Sequence, residues 1–370
     1  MSKILSITWY KILPPKSGGQ KGIALFTKYL SLWHKLVLLC STNNEQTDEM
    51  PFETRAELPV SKSQFLDPFC WRKILATAEE IKPDFILLEH PYHGIAVVKA
   101  CKKTGAGLIV HSHNIESERF RVFGKWWWKI LAYYEKWIHR EADLSLFKTE
   151  NDLQFALKKF DLDKNKCIVI PYGIEKKIND RTAAREIVCK KHGIAEDQKI
   201  LLFAGTLDYE PNAKAVENIY KKIAPGLDAK NIRMIICGRN KLQKFQWLKE
   251  LYHPAVIYAG EVEDIATYFT AADIFIDPVE TNAGIQTKII EALGHDCNVV
   301  CFDNMTDEQL RSVAGDKIFT APPGNYELLK EKIYLALDNN GPTPNAFFDT
   351  YSWENIIGRL NDKLNAIDGH

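Results

Sequence analysis

The sequence predicts two α/β units, each a doubly wound parallel sheet covered by helices on both faces. Three observations carry this. Short, continuous apolar runs recur along the whole 370-residue chain, and such runs suit strands buried on both faces. Longer stretches with helical spacing separate them, as crossovers between parallel strands require. The alternation pauses at a turn signal, Pro171-Tyr172-Gly173, and then begins again, so the chain divides into halves of similar size.

In the first half the apolar runs are Ile4–Ile7, Leu36–Cys40, Phe85–Leu88, Leu108–Val110, Leu144–Phe147 and Cys167–Ile170. Helices are expected near 20–33, 69–81, 94–103, 118–141 and 150–159. In the second half the runs are Ile200–Ala204, Arg233–Cys237, Val256–Tyr258, Ile274–Ile276, Val299–Phe302 and Ile318–Phe319. Its helices are expected near 211–224, 241–252, 263–271, 285–294 and 325–338. In such sheets ligands sit beyond the carboxyl ends of the strands, which here implies a cleft between the two domains.

Composition narrows the class. Lys+Arg and Asp+Glu both number 48, and this balance argues against bulk nucleic-acid binding. No run reaches the roughly 18–20 apolar residues of a membrane span. The first residues, MSKILSITWYKILPP, read as a strand and not as a signal peptide. The 8 cysteines are scattered and form no C-x-x-C. Several lie in apolar runs, as buried reduced thiols do, and the expected compartment is the cytosol.

The segment Thr281–His295, TNAGIQTKIIEALGH, organises the second half. A turn, Asn282-Ala283-Gly284, opens a helix in which Ile285, Ile289, Ala292 and Leu293 share one face. Gly284, Lys288, Glu291 and His295 share another. A helix start suits an anion such as a diphosphate, Lys288 adds a full charge, and Glu291 can accept two hydroxyl donors. The competing reading is a surface helix with an i, i+3 Lys–Glu pair.

Other motifs are weaker. Gly18 and Gly19 follow the first strand, where glycine lets the backbone approach a ligand, or simply makes a tight turn. The loop is not G-x-G-x-x-G, and the second strand lacks the terminal acid of a dinucleotide site. His90, His93, His111 and His113 stand at strand ends. Without a neighbouring cysteine or i, i+4 spacing they do not read as a zinc site. His113 is the candidate partner for a substrate hydroxyl. Asp161-Leu162-Asp163 has D-x-D spacing but reads as a solvated turn. The stretch Arg119–Arg140 is aromatic and basic, with Trp126, Trp127 and Trp128 in a row. A helix can turn only one or two of these to a core. The others either pack on the domain or rest in a lipid headgroup layer beside Lys125 and Lys129.

Taken in order, these segments resemble glycosyltransferase family 4, retaining enzymes of the GT-B fold. The resemblance rests on the Gly18-Gly19 loop, HSHNIESER, YYEKWIHREAD, IPYGIE, LLFAGTLDYEPNAKAVENI, ICGRN, YAGEVEDIATYFTAADIFIDP, AGIQTKIIEALG and YSWENIIGRL. It covers nearly the whole chain. It implies an acceptor-binding domain over 1–172, a nucleotide-sugar domain over 173–345, and a C-terminal helix over 346–370 that crosses back to the first. Four departures stand out. Tyr172 replaces the usual Asn of IPNG, and Ala283 replaces the first of two spaced glutamates. Thr206 and Asn212 stand where basic residues are common.

The resemblance implies transfer of a sugar from a UDP- or GDP-sugar to an acceptor hydroxyl, with retention and without a cofactor or metal. The acceptor it implies is a glycan or lipid-linked glycan, in polysaccharide or glycolipid synthesis at the inner face of the membrane. Glu291 then holds the ribose, while Thr206 stands at the diphosphate. Backbone near Arg239 and Val262 lines the base. Asn282, Ala283, Gly284, Ile285 and Gln286 meet the donor sugar and diphosphate, and Lys288, helped by Arg239, stabilises the leaving phosphate. Gly18 and Gly19 close over the phosphates, and His113 meets the sugar or acceptor. Two alternatives stay open: a sugar-nucleotide epimerase on the same architecture, and a non-catalytic sugar-nucleotide-binding protein.

Overall fold

The structure, a computed structural model, describes the chain except residues 16, 49, 62–64, 66, 177–179, 282–286 and 369–370. It contains two compact units, Met1–Gly173 with Trp353–His370, and Ile174–Ser352. The first unit runs β1 (Lys3–Ile7), α1 (Gly18–Ser31), β2 (Lys35–Ser41), β3 (Glu53–Leu58), α2 (Pro68–Ile81), β4 (Phe85–Glu89) and α3 (Gly94–Thr104). It continues with β5 (Gly107–Ser112), α4 (Glu116–Val122), α5 (Trp128–Glu141), β6 (Leu144–Phe147), α6 (Glu150–Phe160) and β7 (Cys167–Val169). The second unit runs α7 (Arg181–His192), β8 (Lys199–Ala204), α8 (Glu210–Asn218), β9 (Ile232–Cys237), β10 (Val256–Gly260), α9 (Ile265–Ala271) and β11 (Ile274–Asp277). Then come α10 (Thr287–Gly294), β12 (Asn298–Phe302), α11 (Glu308–Ala314), β13 (Ile318–Ala321), α12 (Tyr326–Leu337) and α13 (Asn345–Tyr351). A last helix, α14 (Trp353–Asp368), belongs to the first unit.

Both sheets are parallel. Their orders are β3-β2-β1-β4-β5-β6-β7 and β10-β9-β8-β11-β12-β13. Strand order therefore reverses beside β1 in one sheet and beside β8 in the other, and these two switch points are where open α/β sheets bind ligands. Alternate residues explain the continuous apolar runs. Ile4, Leu36, Leu38, Phe85 and Leu87 face one core with Phe26 of α1 and Trp353, Ile356 and Leu360 of α14. Leu5, Val37, Leu39, Ile86 and Leu88 face the other, with Ile74 of α2 and Val97 of α3.

Each expected strand is present, and β3 is an addition. Its sequence, ETRAEL, has no apolar run because it lies at a sheet edge, paired only with β2. The helix expected over 118–141 is two. Gly124, at φ 66° in the left-handed region, ends α4. The stretch expected as a helix near 241–252 is a 3₁₀ turn over Gln243–Glu250. α7 and α11 are additions; α7 buries only Ala184, Val188 and Cys189, too few for a clear periodic signal. The segment from residue 346 is also two helices. Residues of α13 stay in the second unit, and the return to the first begins at Trp353.

The IPYG turn is explained by packing. A Cβ on Gly173 would come within 2.5 Å of the Trp353 ring, and one on Gly22 would meet Tyr172 at 3.1 Å. Tyr172 therefore fills the space between α1 and Trp353, which is itself fully buried. Replacing Trp353 by Ala is expected to cost about 3–5 kcal/mol. Gly173→Ala should cost about 1–3 kcal/mol through overpacking. Urea unfolding of each variant checks both values, and unchanged midpoints would contradict this packing.

Candidate functional site

In the second unit the switch point carries a buried charge. Asp277 ends β11 and is fully buried. Burial pushes its carboxyl upward, and Lys288 opposes that shift. Lys288, on the first turn of α10, places Nζ 3.1 Å from Asp277 Oδ2 and 3.2 Å from Oδ1. It also donates to Asn212 Oδ1 at 3.4 Å and lies 5.3 Å from the centre of the Phe203 ring. Asn212 in turn donates to the carbonyl of Thr206 at 2.9 Å and covers Gly205. The departure at position 212 thus has a role: the amide ties the β8 loop to the ammonium on α10.

The neighbouring loops are clamped by Asp208, which sequence reasoning missed. Its Oδ1 accepts from the backbone N–H of Lys241 and Leu242, and Oδ2 pairs with Arg239 Nε at 3.2 Å. The Leu242 N–H, first among these partners, holds its carboxyl below the ordinary range. Arg239 is therefore engaged by Asp208, with half its side chain exposed. A Cβ on Gly238 would overlap the Gly205 carbonyl oxygen, so glycine is needed where β8 and β9 end together. Glu291 is half-buried one turn beyond Lys288, and Val262 is half-buried in the loop before α9. Asn282, Ala283, Gly284, Ile285 and Gln286 lie outside the described residues. Ile289, Ala292 and Leu293 are buried, whereas His295 stacks on Phe269 and meets Thr270 Oγ1 at 2.9 Å.

In the first unit Gly18 and Gly19 open α1, and a Cβ at Gly19 would meet nothing within 4 Å. The preceding loop is fixed by Asn44. Its Oδ1 accepts from the N–H of Ile12 and Leu13 at 2.7 and 2.9 Å, and its Nδ2 donates to Ser41 O. At the end of β4, register sets Glu89 beside His111 of β5. Glu89, fully buried, accepts on Oε1 from His111 Nδ1 at 3.2 Å and on Oε2 from His113 Nε2 at 2.6 Å. The rings of His90 and His113 stack at 4.4 Å, and those of His111 and His113 lie 4.3 Å apart. His90 has φ 65°, an uncommon conformation for a side-chain-bearing residue and one that clusters at functional sites. His93 stands apart, against Phe65.

Charges in this cluster are balanced by burial. Lys148, fully buried, has its amine pushed down to about 8 by desolvation, with Glu89 opposing. Burial lowers His111 to about 4. Burial against the other histidines keeps His113 well below its ordinary value. The two histidines hold Glu89 as a carboxylate against the effect of burial. Glu89, His111 and His113 are also the one set among the described residues whose donor atoms, within 4.8 Å of one another, could hold a metal ion. Lys148, a buried cation within electrostatic range of the same carboxylate, disfavours a second positive charge there.

Behind this cluster Glu135 of α5 accepts from the N–H groups of Glu116 and Ser117 and from Ser117 Oγ, at 2.7–3.0 Å. It so joins α4 to α5. The turn between them carries Trp126, 82% exposed, while Trp127 packs on Phe120 and Trp128 begins α5. Val122, Phe123, Ile130 and Tyr133 are exposed beside it. Asp161 closes α6 and pairs with Arg140, and Asp163 caps the next turn. All eight cysteines are free and buried. Among the described residues no helix is long and apolar enough to cross a membrane.

Buried histidines set an acid limit on stability. His93 and His111 are lowered to about 4 and His139 to about 3, each chiefly by burial, from an ordinary 6.5. The unfolded chain binds these protons first, so stability is complete above 6.5 and falls as pH drops toward 4. Glu135, raised by burial to about 7, works in the opposite sense over the same window. With three groups against one, the urea midpoint is expected to fall between about pH 7 and about pH 5. A midpoint that rises on acidification would contradict the burial of these rings.

A family model described as Glycosyltransferase Family 4 matches residues 17–177, and one described as Glycosyl transferases group 1 matches residues 198–339. No curated protein sequence matches the chain. Among solved structures, a glycosyltransferase from Rickettsia africae ESF-5 is 17% identical, with 100% of this chain and 99% of that one covered, at a TM-score of 0.76. Sucrose-phosphate synthase from Thermosynechococcus elongatus is 14% identical over 100% of both chains, at 0.74. Anabaena HepE, in complex with UDP and glucose, is 15% identical over 99% of this chain and 100% of that one, at 0.70. The two family models fall one on each doubly wound unit and together span most of the chain. The protein belongs to glycosyltransferase family 4 and has the GT-B fold.

Proposed function

We propose that the protein moves a sugar from a UDP- or GDP-sugar to an acceptor hydroxyl with retention of anomeric configuration. The observation that carries the reading is the Lys288 ammonium, held at the switch point of the second sheet by a buried carboxylate. A fixed positive charge at that place is organised in advance for a diphosphate and for the charge that grows as it leaves. The complex of Anabaena HepE with UDP and glucose supports a nucleotide sugar as donor.

In this reading Glu291 accepts from the ribose hydroxyls. Lys288 keeps two donors on Asp277 and Asn212 and turns the third to a phosphate oxygen. Thr206 and the backbone at Asn282–Gln286 meet the diphosphate and sugar, and the loops at Arg239 and Val262 meet the base. Gly18 and Gly19 meet a phosphate, for which the open space at Gly19 leaves room. The acceptor oxygen bonds to the anomeric carbon on the face the phosphate leaves, the carbon–oxygen bond to phosphate breaks, and the acceptor proton passes to the leaving phosphate oxygen. Neither cofactor nor metal takes part, because Lys288 supplies the positive charge.

The acceptor is read as a glycan or lipid-linked glycan presented at the inner face of a membrane, with the protein bound peripherally. Trp126, Ile130 and Tyr133, exposed beside Lys125 and Lys129, support contact with anionic lipid.

Nucleotide release from a panel of nucleotide sugars, with and without glycan acceptors, tests the function. Release that depends on acceptor supports transfer. A changed sugar formed without acceptor identifies an epimerase, and stabilisation without release a binding protein. Glu291→Gln should lower turnover by more than about tenfold, about 1.4 kcal/mol of barrier, at unchanged stability. Lys288→Ala should lower turnover and also destabilise the fold by about 3–5 kcal/mol, since Asp277 is left buried and unpaired. Full turnover in both variants would refute the assignments. Trp126→Ala with Ile130→Ala should weaken sedimentation with anionic vesicles by more than about tenfold. A wild-type protein that does not sediment with them would remove the membrane contact.

A further inference from the structure

We propose that Glu89 is a positioning residue that fixes the tautomer of His113, so that His113 Nδ1 is presented as a hydrogen-bond acceptor to a substrate hydroxyl. This rests on the reading of the protein as a sugar transferase. No family motif points to Glu89; it follows from strand register and burial.

The argument starts from the donor inventory. Glu89 is 1% exposed and ends β4 at the switch point of the first sheet. As a carboxylate it has acceptors only. Two imidazole nitrogens approach it, one on each oxygen: His113 Nε2 lies 2.6 Å from Oε2 and His111 Nδ1 3.2 Å from Oε1. Each must bring its proton to the carboxylate. A neutral imidazole carries one N–H, so the opposite nitrogen on each ring is left with a lone pair. For His111 that nitrogen is Nε2, sealed in the interior without a partner. For His113 it is Nδ1.

Why the rings stay neutral beside a carboxylate also follows from the neighbourhood. An acid alone would favour imidazolium. Lys148, buried within electrostatic range of the same carboxylate, supplies the balancing charge, and it disfavours a proton on either ring. The rings of His90 and His111 lie 4.4 and 4.3 Å from that of His113 and restrict its rotation. Of the two rings bonded to Glu89, only His113 reaches the surface, with 13% of its side chain exposed against 0% for His111. The cluster therefore offers one oriented acceptor, suited to a sugar or acceptor hydroxyl and unsuited to a phosphate oxygen, which brings no proton to it.

Long-range nitrogen-15 correlation spectra of the full-length protein, labelled at histidine, test this near neutral pH. His113 is expected as the Nε2–H tautomer and His111 as Nδ1–H, the less common form in water. A His113 in the Nδ1–H or imidazolium form overturns the proposal whatever the function, and needs no variant. In Glu89→Gln one amide oxygen and one amide N–H replace two acceptors, so one of the two rings should change tautomer. Two unchanged rings would overturn the proposal. Addition of UDP-glucose should shift the Nδ1 resonance of wild-type His113. Turnover should fall more than about tenfold in Glu89→Gln, with KM for the nucleotide donor changed far less, and recover in part in Glu89→Asp. Normal turnover in a folded Glu89→Gln overturns the proposal but leaves the transferase reading standing. A protein with the expected tautomers that releases nucleotide from no donor overturns the transferase reading, and with it the hydroxyl role of His113.

Discussion

A carboxylate buried at the end of a central strand needs a cation, and in the second unit Asp277 finds it in Lys288. The rest of that site depends on this pair. Asp277 is fully buried and Lys288 only partly exposed, so losing either leaves a charge without compensation. The pair fixes the first turn of α10 against β11, and Asn212 extends the link to the β8 loop. The positive charge proposed to serve a diphosphate is thus also a structural charge. Its location is set by folding before any ligand arrives, which is the condition for electrostatic stabilisation without reorganisation.

The first unit answers the same problem differently. Glu89 also ends a strand beside the switch point, but its partners are two neutral histidines with a buried lysine behind them. Here the outcome is a directed lone pair and not a cation. The two doubly wound sheets share one topology and present opposite hydrogen-bonding characters at equivalent places. A family with this architecture can adapt to many acceptors by changing the residues at these strand ends, because the packed sheets beneath carry the stability.

Most of the fold was legible because both faces of each sheet are covered. Ile4–Ile7 and Ile274–Ile276 read as strands since neither face must be polar. β3 escaped notice because an edge strand whose arginine pairs with Glu80 need not be apolar. The helix break at Gly124 is a single left-handed residue inside an otherwise continuous helical pattern, a signal that composition does not give. In the candidate site, Lys288, Glu291 and His113 are proposed from motif and spacing. Their partners could not be. The i, i+3 neighbour of Lys288 in sequence is Glu291, yet its ammonium is held by Asp277, from the preceding strand. Glu89 is 22 residues from His111, and only the β4–β5 register brings them together. Asp208 reads as a loop acid until its two backbone N–H partners, 33 and 34 residues away, are seen.

The most direct measurement of the central claim is a crystal structure of the protein soaked with UDP. The account predicts a pyrophosphate oxygen within hydrogen-bond distance of Lys288 Nζ while the contact to Asp277 is kept, and both ribose hydroxyls on the Glu291 carboxylate. UDP bound elsewhere, or bound with Lys288 and Glu291 untouched, would contradict it.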